Sequence, residues 1–221
     1  MTQGGWGAER EAVVETAQEL ARLGLVAGHS GNVSIRLSAN PTLIAVTPSQ
    51  RPYRSLHAQD ILVVDGRGEP VSGRLAPSSE TPLHLGVYAA RPDAGAVIHT
   101  HSAYATVCAV SGTPIPPVVD ELVVIVGGEV RVAAYAYPGT SDMAQKACEA
   151  LESREAALLA MHGLVGLGSD LASALAVCEL VERAAQVYVT ARLLGMERML
   201  PPEVVAAEQA LYRERKNTAR E

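Results

Sequence analysis

The chain has 221 residues, 48% of them hydrophobic and 19% charged, a composition that builds one substantial core and excludes disorder. Its net charge of −6, with no basic stripe before the short run Arg213–Lys216, argues against a nucleic-acid partner, while a phosphate-bearing substrate stays open because backbone N–H groups and hydroxyls can hold one. No apolar run approaches the roughly 20 residues of a membrane span, and Met1–Arg10 lacks a leader pattern, so a soluble, cytoplasmic protein is expected.

In chain order, Ala8–Leu23 repeats Val13, Val14, Ala17, Leu20 and Ala21 at helical spacing and stops at Gly24, which predicts a helix. Gly28–Asn32 reads as a loop. Val33–Leu37 alternates like a strand, and Asn40-Pro41 turns the chain into a second, Thr42–Thr47, making a hairpin. After the loop Pro48–Pro52, a strand at Ile61–Val64 runs into the turn Asp65-Gly66-Arg67-Gly68. Ser78-Ser79-Glu80-Thr81-Pro82 starts a helix, with Ser78 or Ser79 as its cap and Pro82 in its first turn. That helix runs to about Ala90. A strand at Ala96–Thr100, a helix near Tyr104–Val110 and a proline-rich loop, Ser111–Pro117, come next. Val118–Val126 and Val130–Tyr135 read as strands. Ser141–Ser153 is predicted helical, Ala157–Met161 a buried strand and Leu164–Leu167 a short extension. Asp170–Leu194 is a long helix capped by Ser169 or Asp170, and Glu203–Lys216 is the last. Several early connections are too short for parallel crossovers. The expectation is one α/β domain over 1–221, a largely antiparallel or mixed sheet flanked by helices, with a mobile helix and tail at 203–221.

Cys108, Cys148 and Cys178 are odd in number and widely spaced, so they form neither a disulfide framework nor a zinc motif. Each reads as a small buried hydrophobe. The histidines carry more. His99 and His101, in AVIHTHS, lie two apart on a strand and face the same side. His162 follows the apolar run Leu158–Met161 and can reach the same point from a neighbouring strand. Three neutral imidazoles on a sheet form a catalytic zinc set with one position open. A single histidine on an apolar strand is otherwise a hydrogen-bonded core residue. Two facing the same way would bury two polar groups in need of partners, which favours the metal.

Glu80 lies in the first turn of a helix, where the macrodipole favours a carboxylate, so it reads equally as a helix-start acid and as a functional group. Ser78 and Ser79 read as caps, or as an anion site with the exposed N–H groups of that turn. Gly31-Asn32-x-Ser34 and Thr47-Pro48-Ser49 are loops of similar type. His84, four residues after Glu80, shares its helix face and is read as packing beside the strand in preference to a fourth ligand. His29 and His57 have no identifiable partner. In the pair Asp120-Glu121, Glu121 reads as a solvated strand edge.

The segments GHSGNVSIR, VTPSQ, PSSE, HTHS and MHGL, in this order from about Leu20 to Leu194, resemble the class II aldolase/adducin family, and within it the fuculose-phosphate aldolases. The resemblance implies a single α/β domain with a mostly antiparallel sheet, assembled as a homotetramer with active sites at subunit interfaces. It implies that His99, His101 and His162 bind one Zn²⁺, or another divalent ion, per subunit. Glu80 would ligate that ion at rest and act as acid/base in turnover. Asn32, Ser78 and Ser79, with Ser30 and Ser49, would hold the substrate phosphate. The implied reaction is reversible cleavage of a small ketose 1-phosphate to dihydroxyacetone phosphate and an aldehyde through a metal-stabilised enediolate.

Related reactions on the same scaffold are 4-epimerisation of L-ribulose 5-phosphate, decarboxylation of a sugar-acid phosphate and dehydration of a ketose phosphate. The epimerases carry Asp where this chain has Glu80. A non-catalytic adducin-like module would have lost the ligands that this chain keeps. Two positions depart from the family pattern. Gln50 stands where the phosphate loop has Gly, and Asp120 stands where an interface tyrosine is expected. Tyr212 is the candidate for a second, C-terminal tyrosine.

Overall fold

Alternation of apolar side chains along the strands gives the central sheet a core on each face. The computed structural model describes residues 6–196 and 198–218. Its strands are β1 (Asn32–Leu37), β2 (Asn40–Val46), β3 (Leu62–Val64), β4 (Pro70–Ser72), β5 (Ala96–Thr100), β6 (Val132–Ala133), β7 (Ala156–Leu159) and β8 (Gly163–Gly168). They lie in the order β4-β3-β2-β1-β5-β8-β7-β6. All neighbours are antiparallel except β6 and β7. The helices are α1 (Gly7–Arg22), α2 (Thr81–Ala90), α3 (Ala103–Ser111), α4 (Ser141–Leu151), α5 (Leu171–Leu193) and α6 (Pro202–Thr218).

One face of the sheet, with Val33, Leu37, Ile98 and Leu164, packs on Val13 and Leu20 of α1, Ala105 of α3 and Val177 of α5. The other face, with Val46, Val97 and Val165, packs on Leu83 and Val87 of α2 and Ala147 of α4. Side chains alternate across a strand, so Asn32, Ser34 and Arg36 of β1 turn toward α2 while Val33 and Leu37 enter the opposite core. Among the described residues, no helix is long and apolar enough to cross a membrane.

Two expected strands are corrected. Within Val118–Val126, Leu122–Val126 winds into a single π-helical turn that buries Leu122, Val123 and Val126. It ends at Gly127, φ +100°, whose N–H reaches the carbonyls of Leu122 and Val123. A short apolar run does not by itself distinguish a buried strand from a buried helical turn, and here closure at Gly127-Gly128 decides for the turn. Of Val130–Tyr135, only Val132–Ala133 joins the sheet, beside Leu158 and Leu159. Strand β4 was not anticipated.

Helix α6 is held by a buried charge cluster at the end of β7 where that strand begins. Arg91 forks onto Asp93 at 2.9 and 3.0 Å and lies 3.3 Å from Glu155. Lys216 reaches Asp93 at 2.7 Å and also pairs with Glu155. The hydroxyl of Tyr212, itself buried, sits 2.6 Å from the Ser153 carbonyl and 2.8 Å from Glu155 Oε1. Gly127 permits this approach, since a Cβ there would meet the Tyr212 ring at 3.0 Å. The paired cations hold the Asp93 carboxyl far below the usual carboxylate range, the Arg91 hydrogen bond contributing most. Tyr212→Phe is expected to lower the unfolding free energy by about 1 kcal/mol, the cost of a lost buried hydrogen bond. Lys216→Met should cost more, because the buried carboxylates of Asp93 and Glu155 both lose a paired cation. Urea unfolding of the two variants checks both.

Candidate metal centre

The sequence brings three imidazoles to one place through β5 and the β7–β8 hairpin. His99 is the fourth residue of β5, and His101 follows the strand's last residue, Thr100. β8 lies beside β5, with Val165 opposite His99, so the tight turn before β8 delivers His162. Met161 in that turn has φ +57°, a left-handed conformation unfavourable for a residue with a side chain, by about 1–3 kcal/mol. Gly163 is required there, because a Cβ would collide with the Thr100 carbonyl oxygen and come within 3.3 Å of the His101 ring. The start of α3, just past His101, is fixed from α5. The Glu182 carboxylate accepts from the backbone N–H groups of Tyr104 at 2.9 Å and Ala105 at 2.8 Å, supplying partners that a helix N-terminus lacks.

The three rings pack edge to face with centroids 4.7–4.8 Å apart. Glu80, directly before α2, completes the group. Its Oε2 is 3.3 Å from His99 Nε2 and its Oε1 is 3.3 Å from His162 Nε2. The ligand atoms of all four residues lie within 4.8 Å of one another. A tetrahedral ion with bonds of about 2.0–2.1 Å separates its ligand atoms by about 3.3 Å, so the set could hold one.

The donor chemistry fits a cation. His99 Nδ1 donates to the Leu164 carbonyl at 2.9 Å, which leaves Nε2 with a bare lone pair turned inward. That lone pair faces His101 Nε2 at 2.9 Å. Burial pushes His99 well below its usual pKa, and the neighbouring His101 and His162 add to it. His101 is lowered too, first by burial and then by His162. Neutral imidazoles are the form that binds metal. Glu80 Oε1 is buried, and among the described residues it has no hydrogen-bond partner.

Glu80 is gripped from its other side. Asn32 Nδ2 donates to Glu80 Oε2 at 2.7 Å, and Asn32 Oδ1 meets His84 Nε2 in a short hydrogen bond. His84 Nδ1 lies 2.6 Å from Ser34 Oγ, which lies 2.9 Å from the Tyr88 hydroxyl. Both ring nitrogens of His84 are therefore engaged, as expected of a packed residue and not of a fourth ligand. This network was not read from the sequence, although its signal is there. Asn32 and Ser34 share one face of a strand, while Glu80, His84 and Tyr88 recur every four residues on one helix face.

Ser78 and Ser79 immediately precede Glu80 in the chain. Ser78 Oγ accepts from the Glu80 N–H at 3.3 Å. The loops 47–49 and 76–78 are zipped together, Ser49 N–H donating to the Ala76 carbonyl and Ser78 N–H to the Thr47 carbonyl. Ser79 is exposed. Gln50 has φ +55°, so the backbone keeps at this position the conformation that glycine favours, despite a side chain. Ser30 Oγ accepts from the Ala27 N–H within its own turn. Asn32, 1% exposed, spends its carboxamide oxygen on His84 and one hydrogen on Glu80. Asp120 is exposed, and among the described residues no hydrogen bond joins it or Tyr212 to the cluster.

The family model for the class II aldolase and adducin N-terminal domain matches residues 11–189. The chain belongs to this family. A 5-deoxy-D-ribulose 1-phosphate aldolase of Bacillus thuringiensis serovar kurstaki is 35% identical over 88% of this chain and 91% of its own length. The L-fuculose phosphate aldolase of Escherichia coli K12 is 36% identical over 80% of this chain and 81% of its own. A solved L-fuculose 1-phosphate aldolase superposes with a TM-score of 0.87 at 34% identity, covering 93% of this chain and 96% of that one. Family, fold and relatives together make this enzyme a class II aldolase, the metal-dependent kind of carbon–carbon lyase.

Acid should loosen the metal-free enzyme. His84 is pushed down to about 3, by burial first and by His99 second, and His99 is also depressed. Both stay neutral in the fold while the unfolded chain takes up protons below about pH 6.5, the ordinary value for histidine. Stability is therefore expected to fall as pH drops below that point, by up to about 1.4 kcal/mol per pH unit for each histidine. Urea midpoints of metal-free protein at about pH 7.5 and about pH 5.5 test the sign; an equal or higher midpoint in acid contradicts it.

Proposed function

We propose that the protein is a zinc-dependent aldolase that reversibly cleaves a small ketose 1-phosphate into dihydroxyacetone phosphate and an aldehyde. The observation that carries this reading is the convergence of His99, His101, His162 and Glu80 around a point where a buried carboxylate oxygen has no hydrogen-bond partner. A divalent ion bound there polarises the substrate carbonyl and stabilises the negative charge that carbon–carbon cleavage leaves on oxygen.

The remaining work falls to the chain's own groups. In cleavage, the hydroxyl of the aldehyde half gives its proton to solvent water as the adjacent carbon–carbon bond breaks, and the electron pair of that bond passes toward the carbonyl. Glu80, having taken up a proton from solvent, then delivers it to the carbon beside that carbonyl, and takes it back in the condensing direction. Ser78 and Ser79, with Ser49, Ser30 and the remaining hydrogen of the Asn32 amide, are proposed to bind the phosphate at the start of α2, where the dipole favours an anion. The relatives named for 5-deoxyribulose 1-phosphate and L-fuculose phosphate make these two ketose phosphates the first to try.

A second reading deserves a place in the same assay. YgbL of Klebsiella pneumoniae, described as a candidate aldolase, epimerase or decarboxylase, is 32% identical, covers 90% of this chain and superposes with a TM-score of 0.82. Three free cysteines support a reducing, cytoplasmic setting. A homotetramer with sites at subunit interfaces is proposed on the apolar surface near His162, where Met161 is 64% exposed and Val107 and Val110 of α3 are each 50% exposed.

The purified protein is expected to bind one zinc per chain by metal analysis and to release dihydroxyacetone phosphate from one of those ketose 1-phosphates. Glu80→Gln should keep the fold and lose at least about 100-fold in kcat. Near-normal turnover in that variant would remove Glu80 from the chemistry. Interconverted pentulose phosphates or released CO₂ would favour the second reading. Light scattering should give four chains per particle.

A further inference from the structure

We propose that His84, backed by Ser34 and Tyr88, is a positioning residue that fixes which oxygen of the Glu80 carboxylate is free to act. The inference deepens the proposed function and rests on it. Glu80 Oε2 is held by Asn32 Nδ2 at 2.7 Å, whereas Oε1 is buried and has no hydrogen-bond partner among the described residues. A carboxamide can present either end, and what it presents is decided by its neighbours. An ionised carboxylate only accepts, so the amide nitrogen of Asn32 must face Glu80 and the oxygen must face His84.

The rest of the chain then has one consistent set of protons. Asn32 Oδ1 needs a donor, so His84 carries its proton on Nε2. His84 Nδ1 is then a lone pair and accepts from the Ser34 hydroxyl at 2.6 Å. Ser34, its one proton committed, accepts from the Tyr88 hydroxyl at 2.9 Å. Tyr88 is anchored in turn, with the Arg36 guanidinium 4.4 Å over its ring. His84 is fully buried, and burial holds it neutral, as this arrangement requires.

If His84 had its proton on Nδ1, Asn32 would gain by turning its oxygen toward Glu80, and acceptor would face acceptor. The polarity of the whole network thus keeps Glu80 Oε2 as a pinned acceptor. Oε1, 3.3 Å from His162 Nε2, is left as the oxygen that leaves its ligand position or takes the proton. Sequence distance hides the relation, since Asn32 and Tyr88 are joined only through the contact of β1 with α2.

The test pairs a spectroscopic measurement with kinetics. In ¹⁵N-histidine NMR spectra of the metal-free wild type, His84 is expected as the Nε2–H tautomer; an Nδ1–H tautomer overturns the proposal. His84→Phe, loaded with one zinc per chain, should lose roughly 10–100-fold in kcat with KM changed by less than about 3-fold. Tyr88→Phe, which keeps the ring and serves if His84→Phe does not fold, should show a smaller loss with the same split. A wild type that binds zinc and cleaves a ketose 1-phosphate, beside variants that fold, load and turn over normally, overturns the positioning role alone. A wild type that takes up no divalent ion and cleaves no ketose phosphate removes the proposed function and this inference together.

Discussion

Four residues of helix advance about 6 Å and two residues of strand about 6.6 Å, so a helix lying along a strand can keep step with it for a few contacts. α2 follows β1 in this way. Glu80 meets Asn32, His84 meets Asn32 and Ser34, and Tyr88 meets Ser34 and Arg36. Slipping the strand by one residue would turn Val33 and Ile35 toward the helix and leave a buried imidazole without partners. This register sets the carboxylate against the histidines, because β1 also pairs with β5, Asn32 opposite His99.

Rigidity at the centre comes from the sheet, while two strained turns adjoin candidate site residues. His99 sits within a five-residue strand that is wholly buried, between β1 and β8. Met161 and Gln50 instead hold left-handed backbone at side-chain-bearing residues, one beside His162 and the other beside Ser49. Such conformations persist only where surrounding structure over-determines them. Here the hairpin registers of β7 with β8 and the zipped loops 47–49 and 76–78 do so.

Local pattern was enough for elements with a strong period or a sharp stop. Ala96–Thr100 emerged with its observed bounds, and the helix that began at Asp170 is capped by that residue's own side chain, which accepts from Ser173 N–H. The convergence of His99, His101 and His162 was legible from strand geometry. The Leu122–Val126 segment was not, because its β-branched run satisfies a strand and a buried turn equally well. Glu182 was also missed, since its role, capping α3 from α5, depends on a contact 77–78 residues away. Asn32 carried a loop signal suited to an anion, but its burial and its two partners belong to the tertiary fold.

The inward-turned lone pairs have a consequence beyond catalysis. The bare Nε2 of His99 and the Glu80 Oε2 carboxylate oxygen, 3.3 Å apart, are electrostatically uncomfortable, and folding alone must overcome that repulsion. A cation would convert it into attraction, and a ligand bound only by the folded form adds its binding energy to stability. Shortage of the bound metal would then thin the population of intact molecules as well as idle them, so the amount of this protein would track metal supply.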